Sequence, residues 1–300
     1  MLDWLLDVDT SYGHLIFGAL ASSAPVRAQV DFQEFNDVVG AGLSNTKTGG
    51  SAECIKNVIA AFSQVDQLIK GKQFPKLKED FQLCENIVSN LDIQTFVTNL
   101  RKPIVTAVRN NKGSRKFVGI GNVCEQMKKT ADPYKNLIRY TEDLLIRHKK
   151  KCLNSSYESF LEEVKTYPWY YQTCTEFGYY ETCKDSSQCP FSHMVNLDVD
   201  FAMCKDVYGI LPEAVYNQVN FTNQYYGSDH PKNGRILFIN GSIDPWHPLS
   251  VLESLGGNET AIFIDDTSHC EDMNGREPGI TPALSRALDV SQTFKQSFMI

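Results

Sequence analysis

Several features are missing from this 300-residue sequence, and each absence closes off a class of protein. No run of about 18 apolar residues occurs, so no membrane-spanning helix is expected. Positive charge is in short supply. The 29 Lys and Arg stand against 36 Asp and Glu, a formal charge of −7, which leaves no basic face for nucleic acid. One basic cluster, Arg147 to Lys151, reads as a solvated helix end. The cysteines never fall in CxxC pairs, so no metal site and no cofactor are expected. Internal repeats and low-complexity tracts are lacking. Apolar alternation of period two is almost absent from the middle of the chain, where helical spacing prevails.

What is present points to an oxidising compartment. Nine Cys, at 54, 84, 124, 152, 174, 183, 189, 204 and 270, are many for a cytosolic chain, and disulfides are the natural reading of them. Cys174, Cys183, Cys189 and Cys204 lie close enough to bridge locally, and the odd count leaves at least one thiol over. Four N-x-[ST] sequons agree with the secretory route: Asn154, Asn220 and Asn258 are candidate glycosylation sites, whereas Asn240 follows directly on a buried strand. The amino terminus, MLDWLLDVD, carries three Asp and no basic n-region, and so does not read as a signal peptide. A disulfide-rich chain with this start is expected to be missing its beginning.

Leu15 to Ala21 reads as a first buried strand, stopped by Ser22-Ser23-Ala24-Pro25. From Ala52 to Lys70 the residues Ile55, Val58, Ile59, Phe62, Val65, Leu68 and Ile69 recur at helical spacing, with Ser51 as N-cap and Gly71 as stop. Further helices are predicted over Phe74 to Leu91, Ile93 to Val108 with an interruption at Pro103, Gly121 to Lys129, Pro133 to Lys149 and Tyr157 to Lys165. Another follows Gly209, and a last one starts near Thr281 or Pro282. Tyr167 to Cys189 concentrates seven aromatics and three Cys in a stretch that reads as a loop. Two readings stand for it: a filled core wedge, or the wall of a ligand cleft with Glu176 as its charged contact.

The chain is organised around Arg235 to Cys270. Two apolar runs, Ile236 to Ile239 and Ala261 to Ile264, each end in a polar turn, and the turns carry Asp244 and His269. Short apolar runs bounded by turns fit strands of a parallel sheet covered on both faces, and such sheets bind ligands beyond their carboxyl ends. An acid after one strand and a His after the next is the order of the last two members of a Ser, Asp, His triad on an α/β-hydrolase sheet.

The segments FGALASSAPV, WYYQTCTEFGYY, ILFINGSIDPWHPLSV and DTSHCEDM, in this order, resemble the serine peptidase family that includes prolyl carboxypeptidase, dipeptidyl peptidase II and the thymus-specific serine protease. The wording is closest to the thymus-specific branch. The resemblance implies an α/β-hydrolase fold with an inserted, mostly helical cap. The expected division is 1–48 for the start of the hydrolase part, 49–207 for the cap and 208–300 for the carboxy-terminal hydrolase part. The resemblance further implies Asp244 as triad acid, His269 as triad base, Trp246 near the site, peptide as substrate, a homodimer, and a secreted or endolysosomal location; Glu176 matches a motif position, and its substrate contact is inferred from the aromatic stretch alone.

One departure from that family governs the rest. The sequence contains no G-x-S-x-G elbow, and its nearest approach, Gly49-Gly50-Ser51-Ala52-Glu53, lacks the second Gly and a preceding strand. Ser22 and Ser23 do not occupy the family's nucleophile position. The expectation is therefore a serine-type exopeptidase chain without its nucleophile, inactive as written, with a nonenzymatic peptide- or protein-binding paralogue as the alternative. A sheet of only the late strands is expected to leave an edge and one apolar face uncovered.

Overall fold

A computed structural model describes residues 17–111, 119–184, 187–231, 234–256, 259–276 and 279–296. The chain is mixed α/β, mostly helical, with a small parallel sheet. Strand β1 (Ala19–Ser22) is followed by the short β2 (Gln29–Asp31) and then by a long helical stretch. That stretch comprises α1 (Glu34–Ser44), α2 (Ala52–Lys70), α3 (Phe74–Asp80), α4 (Asn90–Arg109), α5 (Ile120–Met127), α6 (Pro133–Arg147), α7 (Tyr157–Thr166) and α8 (Trp169–Gln172). A π turn (Thr173–Phe177) and β3 (Gly178–Tyr180) come next, then α9 (Asp198–Tyr208) and α10 (Pro212–Tyr226). Strands β4 (Ile236–Gly241) and β5 (Thr260–Ile264) and helix α11 (Pro282–Gln296) complete the order.

The helix signals translate into capped, one-sided helices. Ser51 Oγ accepts the Cys54 N–H at 3.1 Å, and α2 buries Cys54, Val58, Ala61, Phe62, Val65, Leu68 and Ile69 on one side. Ser89 and Asp92 form a reciprocal capping box at the start of α4. The predicted helix over Phe74 to Leu91 stops at Asp80: Gln82 takes a φ of +50°, and the Gln82 carbonyl and Cys84 N–H then bond to the main chain of Leu153. Pro103 does not interrupt α4. It removes one N–H, but Leu100, Ile104 and Val108 around it are buried, and their packing holds the helix through the gap.

Two apolar cores divide the helical part. The larger gathers Phe32, Phe35, Phe62, Phe81, Phe96 and Met127, and it also takes in Ile243, Leu249 and Trp246 from the turn after β4. The smaller surrounds the β2–β3 pair with Val30, Val164, Cys174, Tyr180, Met203 and Val215. The stretch read as a loop from Tyr167 to Cys189 is instead a helix, a π turn and a strand across most of its length. Gly178 makes the handover: its φ is +71°, and a Cβ there would stand 2.6 Å from Val30 Cα.

Four disulfides staple these layers: Cys54–Cys124, Cys84–Cys152, Cys174–Cys204 and Cys183–Cys189. The four cysteines expected to bridge locally do so, and Cys270 is the thiol left over.

The main sheet has the order β1-β4-β5, all parallel, with Ala19 opposite Ile236 and Leu237 opposite Thr260. β4 is buried along its whole length, which is why it reads as a continuous apolar run. Leu237 and Ile239 meet Leu284 and Ala287 of α11 on one face, while Ile236 and Phe238 pack with Ala19, Ala21 and Val251 on the other. The uncovered apolar face expected from the sequence is therefore not found at β4. Exposure falls on outer strand β5, where Phe263 is 42% exposed. The observed β1 begins at Ala19, and Leu15 and Ile16 of the predicted strand lie outside the described residues. No helix among the described residues is long and apolar enough to cross a membrane.

Candidate active site

β4 and β5 are parallel neighbours, so their carboxyl ends lie side by side, and the turns that follow them meet. Gly241 permits the closest approach: a Cβ there would sit 2.1 Å from the Thr267 carbonyl oxygen. The Ile243 N–H reaches that same carbonyl at 3.2 Å, and the Asp266 N–H donates to Ser242 Oγ at 2.8 Å. These bonds fix the two turns against each other before either functional side chain is considered.

Asp244 is fully buried, and its two carboxylate oxygens have separate tasks. Oδ1 accepts the Trp246 N–H at 3.0 Å, closing a tight turn, and Oδ2 lies 3.0 Å from His269 Nδ1. A carboxylate only accepts, so the proton sits on Nδ1, and Nε2 is the ring nitrogen left for chemistry. Burial alone would lower the His269 pKa. The hydrogen bond to Asp244 and its charge, joined by the neighbouring Cys270, outweigh that and raise it to about 10, so the ring rests as the imidazolium and Nε2 must lose its proton before it can act as a base.

Main-chain contacts hold the His269 turn on all sides. The His269 N–H donates to the Arg109 carbonyl at 2.9 Å, which ties it to the end of α4. The Cys270 N–H donates to Ser23 Oγ at 2.8 Å, and Ser22 Oγ donates to Asp272 Oδ1 at 2.6 Å. Ser268 gives its N–H and its hydroxyl to Glu271 Oε2. The two serines at the end of β1 thus serve as positioning residues for the His turn. Their only signal in the sequence is two small hydroxyls at the end of a strand, and nothing there names their partners.

Trp246 joins this pair to the aromatic stretch. Its ring meets Tyr179 edge-on at 5.4 Å and Phe35 at 5.2 Å, and Trp169 touches it at 6.5 Å. Trp169, Phe177 and Tyr179 stack on one another. The core reading of the aromatic stretch holds for much of it. Phe177, Tyr179 and Tyr180 are core, and Tyr179 and Tyr180 together with Trp169 and Tyr170 also border a cleft of about 230 Å³ between α4 and α9. Glu176 sits half-buried in the π turn and is not part of that lining; Glu181 is. His247, next to the acid, donates Nδ1–H to the Asp244 carbonyl at 2.9 Å, and burial lowers its pKa.

Of the sequon residues, Asn220 is exposed on α10, and Asn154 is half-buried with its side chain accepting the Ser156 N–H. Asn240 is buried and donates to the Val251 carbonyl, while Asn258 lies outside the described residues.

A buried carboxylate orienting an imidazole beyond the ends of neighbouring parallel strands is the acid–base arrangement of α/β-type hydrolases. The chain belongs to the serine carboxypeptidase S28 family, whose model matches residues 8–290. It is 34% identical over 291 residues to the thymus-specific serine protease of Mus musculus, covering 91% of this chain and 57% of that protein. The thymus-specific serine protease of Homo sapiens is likewise 34% identical, with 91% and 56% covered. Lysosomal Pro-X carboxypeptidase of Bos taurus is 25% identical over 301 residues, 93% of this chain and 58% of that protein. The chain therefore spans little more than half the length of the curated relatives it matches.

Proposed function

We propose that this chain carries the acid–base half and the substrate-handling helices of a serine-type exopeptidase acting on peptides in a secretory or lysosomal lumen. The observation that carries this is the Asp244–His269 pair, 3.0 Å apart, with Nε2 left for a nucleophile. In that chemistry His269 first gives up the proton that its raised pKa keeps on Nε2, and a serine hydroxyl then passes its own proton to Nε2 as its oxygen attacks the scissile carbonyl. His269 then returns the proton to the leaving amine, and water repeats the sequence to release the acyl product. Asp244 holds the ring's tautomer and stabilises the imidazolium formed at each step. Residues 49–207 serve as the cap over this site, with Trp246 as the contact between cap and acid. The four disulfides and the resemblance to Lysosomal Pro-X carboxypeptidase support the lumenal setting.

The 300 residues taken alone do not hydrolyse peptides, since they contain no G-x-S-x-G elbow. Losing the nucleophile removes on the order of six decades of rate. The purified chain is expected to release nothing from Pro-containing peptides by mass spectrometry, and not to react with a fluorophosphonate probe. Turnover abolished by His269→Ala would contradict the inactivity. Fusing the elbow-bearing amino-terminal part of a family member is expected to give turnover that His269→Ala abolishes. A folded fusion without turnover sinks the peptidase assignment.

A further inference from the structure

Three short segments, far apart in the chain, meet around the turn that carries His269, and hydrogen bonds close them into a ring. The first bond runs from the His269 N–H to the carbonyl of Arg109, the last residue of α4. Just beyond it, Asn111 Nδ2 donates to the Thr48 carbonyl at 3.1 Å, while Asn111 Oδ1 accepts the Ile120 N–H at 2.8 Å. On the other side of Thr48, Asn45 Nδ2 donates to Asp266 Oδ1 at 2.7 Å, and Asp266 leads back to His269 along the chain. The Asn45 corner is itself rigid. Its Oδ1 accepts the Lys47 N–H, its carbonyl accepts the Thr48 and Gly50 N–H groups, and a Cβ on Gly50 would stand 2.4 Å from the Leu43 carbonyl oxygen. Lys47 also pairs with Asp266 Oδ2 at 3.4 Å. Asp266 has a φ of +58°, an uncommon conformation for a non-glycine residue, and these bonds hold it there.

We infer that Asn45 and Asn111 are positioning residues for the acid–base pair: through this ring the helical part of the chain holds the His269 imidazole on the Asp244 carboxylate. The inference rests on the reading of His269 as the base and adds what keeps that base in place. Amide side chains suit the task, since each donates and accepts at once and so bridges two segments. The single bond from Nδ1 to Asp244 orients the imidazole but does not hold the turn behind it. If the turn recedes, the attraction between Asp244 and the imidazolium weakens, and the burial that opposes the charge remains. A loosened turn therefore binds the proton less firmly. Arg109 works to the same end as the two amides, because its carbonyl lies at the negative end of a 20-residue helix, which favours a protonated His beside it. The same helix borders the cleft next to Trp169, so the rod that walls the cleft also anchors the base.

The test follows the ring titration of His269 by NMR in the intact purified chain, with His269→Ala identifying its signal among the six His. Asn45→Ala and Asn111→Ala are each expected to bring the titration down from about 10 towards 6.5. The double variant is expected to fall little further than either single one, because opening one link already opens the ring. Asn111→Asp keeps the acceptor for Ile120 and loses the donor to Thr48. It is expected to follow Asn111→Ala, although its added negative charge alone would move the titration up. Ser156→Ala is the control: it removes the acceptor of the Ser159 N–H at the start of α7, and is expected to lower stability while leaving the titration in place. Should the Asn variants not fold, amide exchange in the wild-type chain decides, with the His269 and Ile120 N–H groups expected to be protected and to open together. An unchanged titration in both Asn variants, an equal fall in Ser156→Ala, full additivity in the double variant, or a His269 amide that exchanges freely overturns the assignment and leaves the Asp244–His269 pair standing. A wild-type ring that titrates near 6.5 overturns the pair as well.

Discussion

The Cys270 N–H points at Ser23 Oγ across 2.8 Å, so the first strand of the sheet holds the turn that follows the last. Ser23 is buried, and its φ is +50°. Ser23→Ala leaves a main-chain N–H without an acceptor and is expected to cost about 1–3 kcal/mol in denaturant unfolding. A change below a few tenths would mean that the His269 turn is held by its other contacts alone.

Gly241 is expected to tolerate no side chain. Gly241→Ala drives a methyl group into the Thr267 carbonyl, which is backbone and cannot swing aside. The turn carrying His269 must then move, at a cost of roughly 1–3 kcal/mol. A crystal structure or amide chemical shifts of the variant should show the displacement concentrated over residues 265–270. An unperturbed spectrum would refute the close-approach account.

Protonation of His269 couples to stability. Its ordinary pKa of 6.5 rises to about 10 in the folded chain, so the native state holds this proton more firmly than the unfolded one. The stabilisation is complete below pH 6.5 and is lost as pH climbs to about 10. Asp244→Asn removes the charge responsible and is expected to flatten that part of the stability profile. The His269 ring titration followed by NMR should move towards neutrality in the same variant. A wild-type profile level across that interval would contradict the assigned pair.

Thiol chemistry offers a separate check. Peptide mapping without reduction should recover Cys54–Cys124, Cys84–Cys152, Cys174–Cys204 and Cys183–Cys189, with one alkylatable thiol at Cys270. Replacing Cys54 and Cys124 together by Ser opens a crosslink of sequence separation 70, with an expected loss of about 4 kcal/mol on the chain-entropy account. A second free thiol in the wild-type map would contradict the pairing.

How much of this could be read from the residues differs from element to element. α2, β4 and the turns bearing Asp244 and His269 were legible because their signals are local: apolar period, an N-cap Ser, and a titratable residue just past a buried run. The path of α4 through Pro103 was not, because burial of Leu100, Ile104 and Val108 outweighs the missing hydrogen bond. The β2–β3 pair escaped notice for a different reason. Three residues each, Gln29–Asp31 and Gly178–Tyr180, are too short for any periodicity to show. The serine contacts at Ser22 and Ser23 depend on residues distant in sequence, and only the assembled fold brings these together.

The register of the sheet also has a consequence for how the chain acquires its shape. β4 finds β5 a short way along the chain, but β1 finds β4 only across the whole helical stretch, with Ala19 opposite Ile236. During synthesis β1 leaves the ribosome long before its partner exists, and closing so long a loop carries an entropic cost that slows the pairing. The order expected from this is that the helices and their disulfides mature first and the Asp244–His269 pair is assembled last, when the final strands dock against the first.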